Sequence, residues 1–487
     1  MRILFVVHTF PPESNGGTEL HAHDAARVLA RDHSLRVFCR CADDDLPEGD
    51  VSRTEDEGFE VTWFNNLFTE YDSFEWTYKN PRVHAAFVAE LESFRPDVVH
   101  IHHLTNLSVT IIEACKRRGL PVVFSLHDFW TVCPRGQRLA PDLRICEEID
   151  RNKCYLCLAG IWPQWFSNRL LEPTVVDDRH RLSPANLAAF DHYMSYALDL
   201  CDLLLTPSRF HRDRMIESGL EPDRVVALHH GLDHERFHRR QRRGSVRVIG
   251  YIGSVIPPKG IRVLVEAFCQ LRATDVELHV WGDAPPFHEN HGYLAELQAI
   301  ALGTDKTVRF RGGYDNERIG DILDGIDVLV VPSLWWETFS ITMREAMLAG
   351  VPVIASDIGA MKEALDGTEA GLTFRCGDAH DLARVLGRLI RDRKLRGELS
   401  HGYRHVKTIE RNAEEYLGLY DKAKRMARKR KGDIVVAPTS FPETTAAAAA
   451  APTGGTRSVT DLGDVSFEVE QLGASPVSLT SSVTREG

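Results

Sequence analysis

Two glutamates stand eight residues apart in the run Pro332-Ser-Leu-Trp-Trp-Glu337-Thr-Phe-Ser-Ile-Thr-Met-Arg-Glu345. The pattern predicts a strand that ends at Pro332, a loop that holds Glu337 and a helix that carries Glu345. Free amides at such a helix start bind anions and suit a diphosphate; here they belong to Ser340, Ile341 and Thr342. The two carboxylates can then accept hydrogen bonds from hydroxyl groups on either side of that diphosphate. The alternative is an exposed Glu337 and an ordinary helical Glu345.

Four of the ten cysteines lie close together in the chain, at Cys133, Cys146, Cys154 and Cys157. The two-residue gap between Cys154 and Cys157 lets both sulfurs reach one ion. In a reducing compartment such a cluster indicates a metal more than disulfides. Four thiolates would complete a tetrahedral structural zinc site, and the alternatives are an iron–sulfur cluster or four free thiols. We expect the cluster to hold an insertion in place and to take no part in chemistry.

The chain has 487 residues, too many for one ordinary core, so two domains are expected. Its content of 43% hydrophobic and 26% charged residues is typical of a globular protein. A net charge of −12 argues against a broad nucleic-acid-binding surface. No apolar run reaches membrane-spanning length, and the N-terminal apolar stretch lacks the cleavage site of a signal peptide. The sequence therefore predicts a cytoplasmic protein.

Short apolar runs alternate with helical patterns, which predicts parallel sheets with helices on both faces. The first series of predicted strands covers residues 3–7, 98–102, 122–126 and 203–207. The pattern restarts at Val246 and continues with strands at 276–281, 308–311, 328–332 and 353–355. The predicted fold class is therefore α/β, with two doubly wound, Rossmann-like domains that face each other across a cleft. Ligands of such sheets bind at the carboxyl ends of the strands.

The predicted N-terminal domain spans residues 1–235, with the cysteine-rich insertion at about 130–180, and the C-terminal domain spans 245–405. A polar, basic linker at 234–244 separates them, and a closing helix follows at 406–431. Seven cations between Lys422 and Lys431 suit the C-terminal end of that helix, and they also suit peripheral contact with an anionic membrane. Residues 432–487 can bury too little apolar surface to fold alone, which predicts a disordered tail.

Further motifs accompany the glutamate pair. They are the glycine loop Asn15-Gly-Gly-Thr-Glu19, the strand ends Asp97-Val-Val-His-Ile-His-His103 and Leu126-His-Asp128, and Gly253 followed by Lys259-Gly260. Together with the Glu–seven residues–Glu run, they resemble the retaining family-4 glycosyltransferases of the GT-B type, also called glycosyltransferase group 1. The resemblance covers nearly all of residues 1–430 and implies the two-domain fold of that family.

By position, the resemblance implies that Glu345 holds the ribose hydroxyls of a donor nucleotide and that Glu337 contacts the donor sugar. It implies that Lys259 neutralises the diphosphate and that His127 contacts the sugar near its 6-hydroxyl. Gly16 and Gly17 would let the backbone approach the phosphate or the acceptor.

Plainer interpretations of these residues stay open. His127 can be a core histidine satisfied by Asp128, Lys259 a solvated loop lysine, and Gly16-Gly17 a simple turn. His100 and His102 face one way along a predicted strand, which allows packing or a metal pair.

One position departs from the family pattern. The family usually has an arginine directly after the glycine at Gly253, whereas this chain has Ser254. A leaving diphosphate needs charge stabilisation in the transition state, so another cation is required if the chain is an enzyme of this type. Arg262 and Arg344 are the candidates to replace the missing one.

The resemblance implies retaining transfer of a sugar from a nucleoside-diphosphate sugar, held mainly by the second domain, without a metal at the reaction centre. The acceptor, a glycan, a lipid-linked sugar or a small molecule, would enter from the first domain. A nucleotide-sugar epimerase on the same architecture is one alternative, and it would need no second substrate. A non-catalytic nucleotide-sugar-binding protein is the other, and Ser254 makes it conceivable.

Overall fold

The computed structural model describes residues 1–68, 74–162, 184–239, 244–273, 275–288 and 290–430. The N-terminal domain is built on eight strands: β1 (Arg2–Val6), β2 (Ser34–Cys41), β3 (Val51–Asp56), β4 (Phe59–Asn65), β5 (Val98–Ile101), β6 (Val122–Ser125), β7 (Leu203–Thr206) and β8 (Val225–Ala227). Their order in the sheet is β3-β4-β2-β1-β5-β6-β7-β8, and β3 with β4 is its antiparallel pair. The helices of this domain are α1 (Gly17–Ala30), α2 (Pro81–Phe94), α3 (Thr110–Arg117), α4 (Arg151–Ile161), α5 (Pro184–Leu200) and α6 (Arg209–Glu217).

The second sheet has six parallel strands: β9 (Val248–Ile252), β10 (Glu277–Trp281), β11 (Thr307–Gly312), β12 (Val328–Val331), β13 (Val353–Ser356) and β14 (Gly371–Phe374). Their order is β11-β10-β9-β12-β13-β14. The helices in the second half of the chain are α7 (Ile261–Cys269), α8 (Tyr293–Leu302), α9 (Ile319–Asp324), α10 (Ile341–Leu348), α11 (Gly359–Leu365), α12 (Ala379–Arg391), α13 (Arg393–Leu399) and α14 (Ile409–Lys429). The predicted α/β fold class with two facing parallel-sheet domains is confirmed.

The sheet order fixes where a ligand can bind. The direction in which successive strands are added to the sheet reverses at β1, which lies between β2 and β5. It reverses likewise at β9, which lies between β10 and β12. A crevice opens at the carboxyl ends of strands where the order reverses in this way. The glycine loop follows β1, the histidine-rich segments follow β5 and β6, and the glutamate run follows β12. The topology therefore brings all the predicted cleft segments to the carboxyl edges of two sheets.

The last helix, α14, belongs to the core of the N-terminal domain although it follows the C-terminal domain in sequence. Its apolar face repeats every three or four residues, as on one side of a helix, through Ile409, Ala413, Tyr416, Tyr420 and Ala423. This face packs on the small residues of α1 in the same core cluster. Beyond the helix, Arg430 donates to the carbonyl oxygens of Asp199 (2.8 Å) and Cys201 (3.1 Å). Contact of the basic end with a membrane stays a prediction, and residues 431–487 lie outside the described residues.

Two chain crossings join the domains, and they run side by side. Leu232 in the first crossing and Thr408 in the second form a parallel bridge. The amide of Leu232 donates to Lys407 O (3.0 Å), and the amide of Ile409 donates to Leu232 O (2.9 Å). A Cβ at Gly231 would lie 2.2 Å from Thr408 O, so a glycine is required where the crossings touch. Part of the predicted linker, residues 240–243, lies outside the described residues.

Candidate active site

Glu337 is the centre of a hydrogen-bonded group at the carboxyl edge of the second sheet. Its Oε1 accepts from Lys259 Nζ (2.8 Å), Trp335 Nε1 (2.8 Å) and Ser333 Oγ (2.9 Å). Burial alone would raise the pKa of Glu337, but Lys259 and the two neutral donors bring it below its usual value. No hydrogen bond from the described residues reaches Oε2. The carboxylate is therefore ionised. Its Oε1 is occupied by three donors, and its Oε2 can accept a hydrogen bond from a ligand.

Close packing of two loops places the lysine beside this carboxylate. Lys259 ends a short 3-10 turn, and Gly260 after it has a φ of 72°. A Cβ at Gly260 would lie 1.9 Å from Pro332 O, so the lysine loop rests directly on the end of β12. The interpretation of Lys259 as a solvated loop lysine does not hold, because its Nζ contacts a buried carboxylate. Its contact with a diphosphate stays a prediction.

Helix α10 begins at Ile341, after Ser340 in a left-handed conformation with a φ of 64°. No side chain caps this start, so the first amides of the helix are free for an anion. Glu345, one turn further, is only 3% exposed. Burial raises its pKa to about 7, although the charge of Arg236 opposes the shift. An ordinary helix glutamate points to water, whereas this one is buried one turn from the uncapped start of its helix.

The glycine loop of the first domain lies against that helix start. A Cβ on Gly17 would lie 3.1 Å from Ile341 Cδ1, and one on Gly16 would lie 2.6 Å from Glu19 Oε2. Glu19 is itself buried and pairs with His8 Nε2 at 3.0 Å. The structure thus joins the first and last predicted binding segments across the cleft at Gly17, whereas Gly16 makes room for Glu19 of its own loop.

His127 follows β6 and faces the cleft from the first domain. Its Nε2 lies 3.2 Å from His102 Nδ1, which leaves Nδ1 as the ring nitrogen available to a ligand. Asp128 does not satisfy it, as one interpretation had it, because Asp128 Oδ1 contacts His103 Nε2 at 3.2 Å instead. A role of His127 in binding the sugar stays a prediction.

A cluster of stacked, buried histidines surrounds His127, and sequence reasoning missed it. Ring centroids are 3.8 Å apart for His21 and His230, 4.9 Å for His127 and His230, and 4.2 Å for His100 and His102. Burial lowers the pKa of His21 and of His100 to about 3, and it lowers the pKa of His127 well below its usual value. These rings are therefore neutral at physiological pH.

Tyrosines of α14 complete this cluster. Tyr416 OH lies 2.9 Å from His21 Nε2, and Tyr420 OH lies 2.7 Å from His100 Nδ1. The other nitrogen of His100 contacts Ser125 Oγ at 2.8 Å. Both nitrogens of His100 are thus engaged, which favours packing over the metal pair with His102.

Neither candidate for the missing arginine offers a free guanidinium to the cleft. Arg344 is buried and donates to the carbonyl oxygens of Phe339 and Ser340. Arg262 is exposed and pairs with Glu266 Oε1 at 2.9 Å. The hypothesis that one of them replaces the family arginine at Ser254 is therefore not supported.

Another arginine crosses the cleft and was not expected. Arg135 belongs to the insertion of the first domain, and its Nη2 donates to His288 Nε2 at 3.2 Å. His288 lies in the loop after β10, whose Asp283 carbonyl accepts from Val255 N (2.7 Å), next to Ser254. Arg135 forms no ion pair with a carboxylate among the described residues. A cation thus reaches from the insertion towards the loops at the end of β9.

The clustered cysteines lie apart from this site. Cys154 and Cys157 are on α4, whereas Cys133 and Cys146 lie in the loops between β6 and α4. All four thiols are free and half-buried. They belong to the insertion that carries Arg135, not to the group around Glu337.

Two α/β domains that turn the carboxyl edges of their sheets towards one cleft define the GT-B architecture. Residues 15–236 match the family model described as Glycosyltransferase Family 4, and residues 246–392 match the one described as Glycosyl transferases group 1. The chain belongs to this glycosyltransferase family. The D-inositol 3-phosphate glycosyltransferase of Stackebrandtia nassauensis is 31% identical over 454 residues, which cover 86% of this chain and 90% of that protein.

Another relative agrees with this membership, and two solved structures share the fold. The MMP alpha-(1->4)-mannosyltransferase of Mycolicibacterium hassiacum is 30% identical over 234 residues, 47% of this chain and 55% of that one. Sucrose-phosphate synthase from Thermosynechococcus elongatus has a TM-score of 0.63 at 19% identity, with 86% of this chain and 98% of that chain covered. Anabaena HepE, in complex with UDP and glucose, has a TM-score of 0.60 at 18% identity, with 86% and 99% covered. These two structures share the fold.

Among the residues that the structure describes, no helix combines the length and the apolar character needed to cross a bilayer.

Proposed function

We propose that this glycosyltransferase transfers a sugar, with retention of configuration, from a nucleoside-diphosphate sugar to a hydroxyl group of a glycan or lipid-linked acceptor. The observation that carries the proposal is the contact of Lys259 Nζ with Glu337 Oε1, beside the uncapped start of α10. A cation and free amides for a diphosphate thus adjoin a carboxylate for sugar hydroxyls. The solved complexes of Anabaena HepE with UDP and with UDP-glucose support this class of donor.

Each side chain has a distinct part in the proposal. Lys259 and the first amides of α10 hold the diphosphate, and the buried carboxylate of Glu345 accepts hydrogen bonds from the ribose. Glu337 uses its free Oε2 for sugar hydroxyls, while its Oε1 keeps Lys259 in position. His127 Nδ1 contacts the sugar from the opposite domain.

In the proposed reaction the bond between the anomeric carbon and the diphosphate oxygen breaks. A bond from the acceptor oxygen forms on the same face of the sugar, and the acceptor proton passes to the leaving phosphate. Negative charge grows on the diphosphate as its bond breaks, and Lys259 stabilises it. In this scheme Lys259, not a metal ion, supplies the charge, so added Mg²⁺ should leave the rate unchanged.

The experiment identifies the nucleotide-sugar donor first and then measures the transfer reaction. The full chain is heated with a panel of nucleotide sugars, because a bound donor raises the melting temperature by mass action. Transfer is then measured with the stabilising donor and candidate acceptors, and NMR of the product reports the anomeric configuration. An inverted product would overturn retention. Conversion of the donor to an epimer without an acceptor, or binding without turnover of any kind, would overturn the transfer reaction.

Variants of the phosphate-binding loop test its chemistry. Lys259→Ala should reduce the catalytic rate on the order of 10²–10³-fold, since it removes charge that stabilises the leaving group. Lys362→Ala is the matched control, because Lys362 is an exposed lysine of the same domain that pairs with Asp366 (2.7 Å). Ser254→Arg should be tolerated. A near-normal rate for Lys259→Ala would show that the diphosphate is held elsewhere.

A further inference from the structure

The four cysteines of the cluster lie on neighbouring parts of the insertion of the first domain. Leu139 and Ile145 form an antiparallel bridge, which brings Cys146 back beside Arg138, and Cys146 N donates to Arg138 O at 2.8 Å. Cys154 and Cys157 lie three residues apart on α4 and therefore share a face of that helix. Arg151 at the start of α4 donates through its Nη2 to Val132 O at 3.1 Å, which ties the helix to the loop that carries Cys133. The four cysteines are thus held on connected parts of one insertion.

Guanidinium groups point at the sulfurs. Arg151 Nη1 donates to Cys154 Sγ at 3.4 Å, and Arg135 Nη1 donates to Cys157 Sγ at 3.5 Å. A neutral thiol is a weak acceptor, whereas a thiolate accepts strongly. Donors of this kind commonly surround the thiolate ligands of a metal and fix their orientation. Arg151 is also paired with Asp191, so these contacts orient two of the four sulfurs and do not by themselves ionise them.

Arg138 gives an independent indication of negative charge at this place. Its side chain is only 4% exposed, and it donates to the carbonyl oxygens of Cys146 (2.8 Å) and Glu147 (2.7 Å). It forms no ion pair with a carboxylate in the described part of the chain. A buried cation without a counter-charge is costly. Four thiolates on one Zn²⁺ carry a net charge of about −2, which would neutralise it.

We propose that Cys133, Cys146, Cys154 and Cys157 bind one structural zinc ion. The thiols must still draw together, because a tetrahedral site with Zn–S bonds of about 2.3 Å needs sulfurs about 3.8 Å apart. Among the described residues, the group whose ligand atoms already lie within 4.8 Å of one another is His23, Asp56 and Glu57, not the cysteines. Binding of zinc would therefore tighten the insertion. The zinc proposal does not depend on which nucleotide sugar the protein uses.

The insertion is connected to the cleft at two points, so the metal would also affect the site. A Cβ at Gly136, where φ is 73°, would lie 2.4 Å from Asp128 Oδ2, so the cysteine loop packs on the residue that follows His127. Arg135 links Cys157 Sγ to His288 of the other domain. Zinc would hold both His127 and Arg135 at the edge of the cleft.

Elemental analysis of the full chain, purified without chelators, tests the proposal. We expect about one zinc per chain in the wild type and a loss on the order of tenfold in Cys154→Ser and in Cys157→Ser. Cys269→Ser is the matched control, since Cys269 is a half-buried cysteine of α7 in the other domain, and it should keep the metal. Wild-type protein without metal, or with iron and sulfide in place of zinc, overturns the proposal.

A second measurement covers variants that fail to fold. A strong chelator should lower the melting temperature of the wild type and of Cys269→Ser, and added zinc should restore it. An unchanged melting temperature after complete removal of the metal overturns a structural role. Neither readout involves sugar transfer, so failure of this proposal and failure of the proposed function are separate results.

Discussion

Thr338 Oγ1 donates a hydrogen bond of 2.5 Å to the carbonyl oxygen of His127, from one domain to the other. Thr338 directly follows Glu337 in the donor-side loop, and His127 directly follows Leu126 at the end of the first domain's sheet. The bond therefore connects the carboxylate proposed to hold the sugar with the histidine proposed to contact it from the acceptor side.

Replacement of this hydroxyl should loosen the closed cleft. Thr338→Val keeps the branched shape and removes a hydrogen bond of about 1 kcal/mol, so the Michaelis constant for the donor should rise about fivefold. Steady-state transfer kinetics measure it, and Thr368→Val is the control, because Thr368 bonds only within its own domain. An unchanged Michaelis constant would show that the interdomain bond does not contribute to donor binding.

Donor affinity should depend on pH through Glu345, because burial raises its pKa to about 7. The ionised carboxylate accepts more strongly from two ribose hydroxyls than the protonated acid does, because both of its oxygens are charged acceptors. The sign follows: affinity is weak below pH 7 and rises as the proton leaves, by about tenfold between pH 6 and pH 8. Calorimetry with a nucleotide sugar measures this, since its diphosphate does not titrate in that range. Glu345→Gln should bind more weakly and without the pH dependence. Equal slopes in both proteins would contradict the assignment.

The approach of Gly17 to Ile341 can be tested as a pair. In Gly17→Ala the new methyl group lies 3.1 Å from Ile341 Cδ1, closer than ordinary van der Waals contact, and it should push the glycine loop away from α10. Donor affinity should fall a few-fold. Ile341→Val removes the Cδ1 atom, so the double variant should recover most of the loss. Additive effects of the two substitutions would show that the loop and the helix do not meet in the working enzyme.

The buried histidines should make the protein sensitive to acid. In the folded protein the pKa of His21 and of His100 is about 3, below the value of about 6.5 in the unfolded chain. Protonation of these histidines therefore favours the unfolded chain. The stability is complete above pH 6.5 and is lost as the pH falls towards 3, by about 1.4 kcal/mol per histidine per pH unit.

Urea denaturation between pH 7 and pH 5 measures that slope. His100→Gln should reduce the slope by the share of one histidine. His380→Gln should leave it unchanged, since His380 is an exposed residue of α12, outside the cluster. A slope that is equal in His100→Gln and the wild type would exclude the cluster as its source.

Most of the predicted strands are apolar and buried on both faces, such as β1 and β12, whereas β11 was predicted although it is largely exposed. Strand β2 was missed because two arginines, Arg36 and Arg40, interrupt its apolar residues. Arg36 is tolerated there because Glu90, which is distant in sequence, accepts from it at 2.8 Å. Strand β8 was missed because it has only three residues.

The positions of candidate site residues could be predicted where those residues follow the carboxyl end of a strand. Glu337, Glu345 and Lys259 each follow a strand of one sheet, and parallel topology alone brings such positions together. The histidine cluster could not be predicted, since it joins residues as distant in sequence as His21 and Tyr416. Arg135 was missed because its position depends on the packing of the insertion, which has no periodic pattern.

The paired crossings at Leu232 and Thr408 have a mechanical consequence. Two chain segments that are hydrogen-bonded to each other act as a hinge between the domains. They permit rotation about one axis and resist twisting and sliding. Helix α14, embedded in the opposite domain, fixes that axis relative to the first sheet. Each opening that admits substrates and each closing that follows should therefore retrace one path, so that Gly17 returns to Ile341 in the same alignment at every turnover.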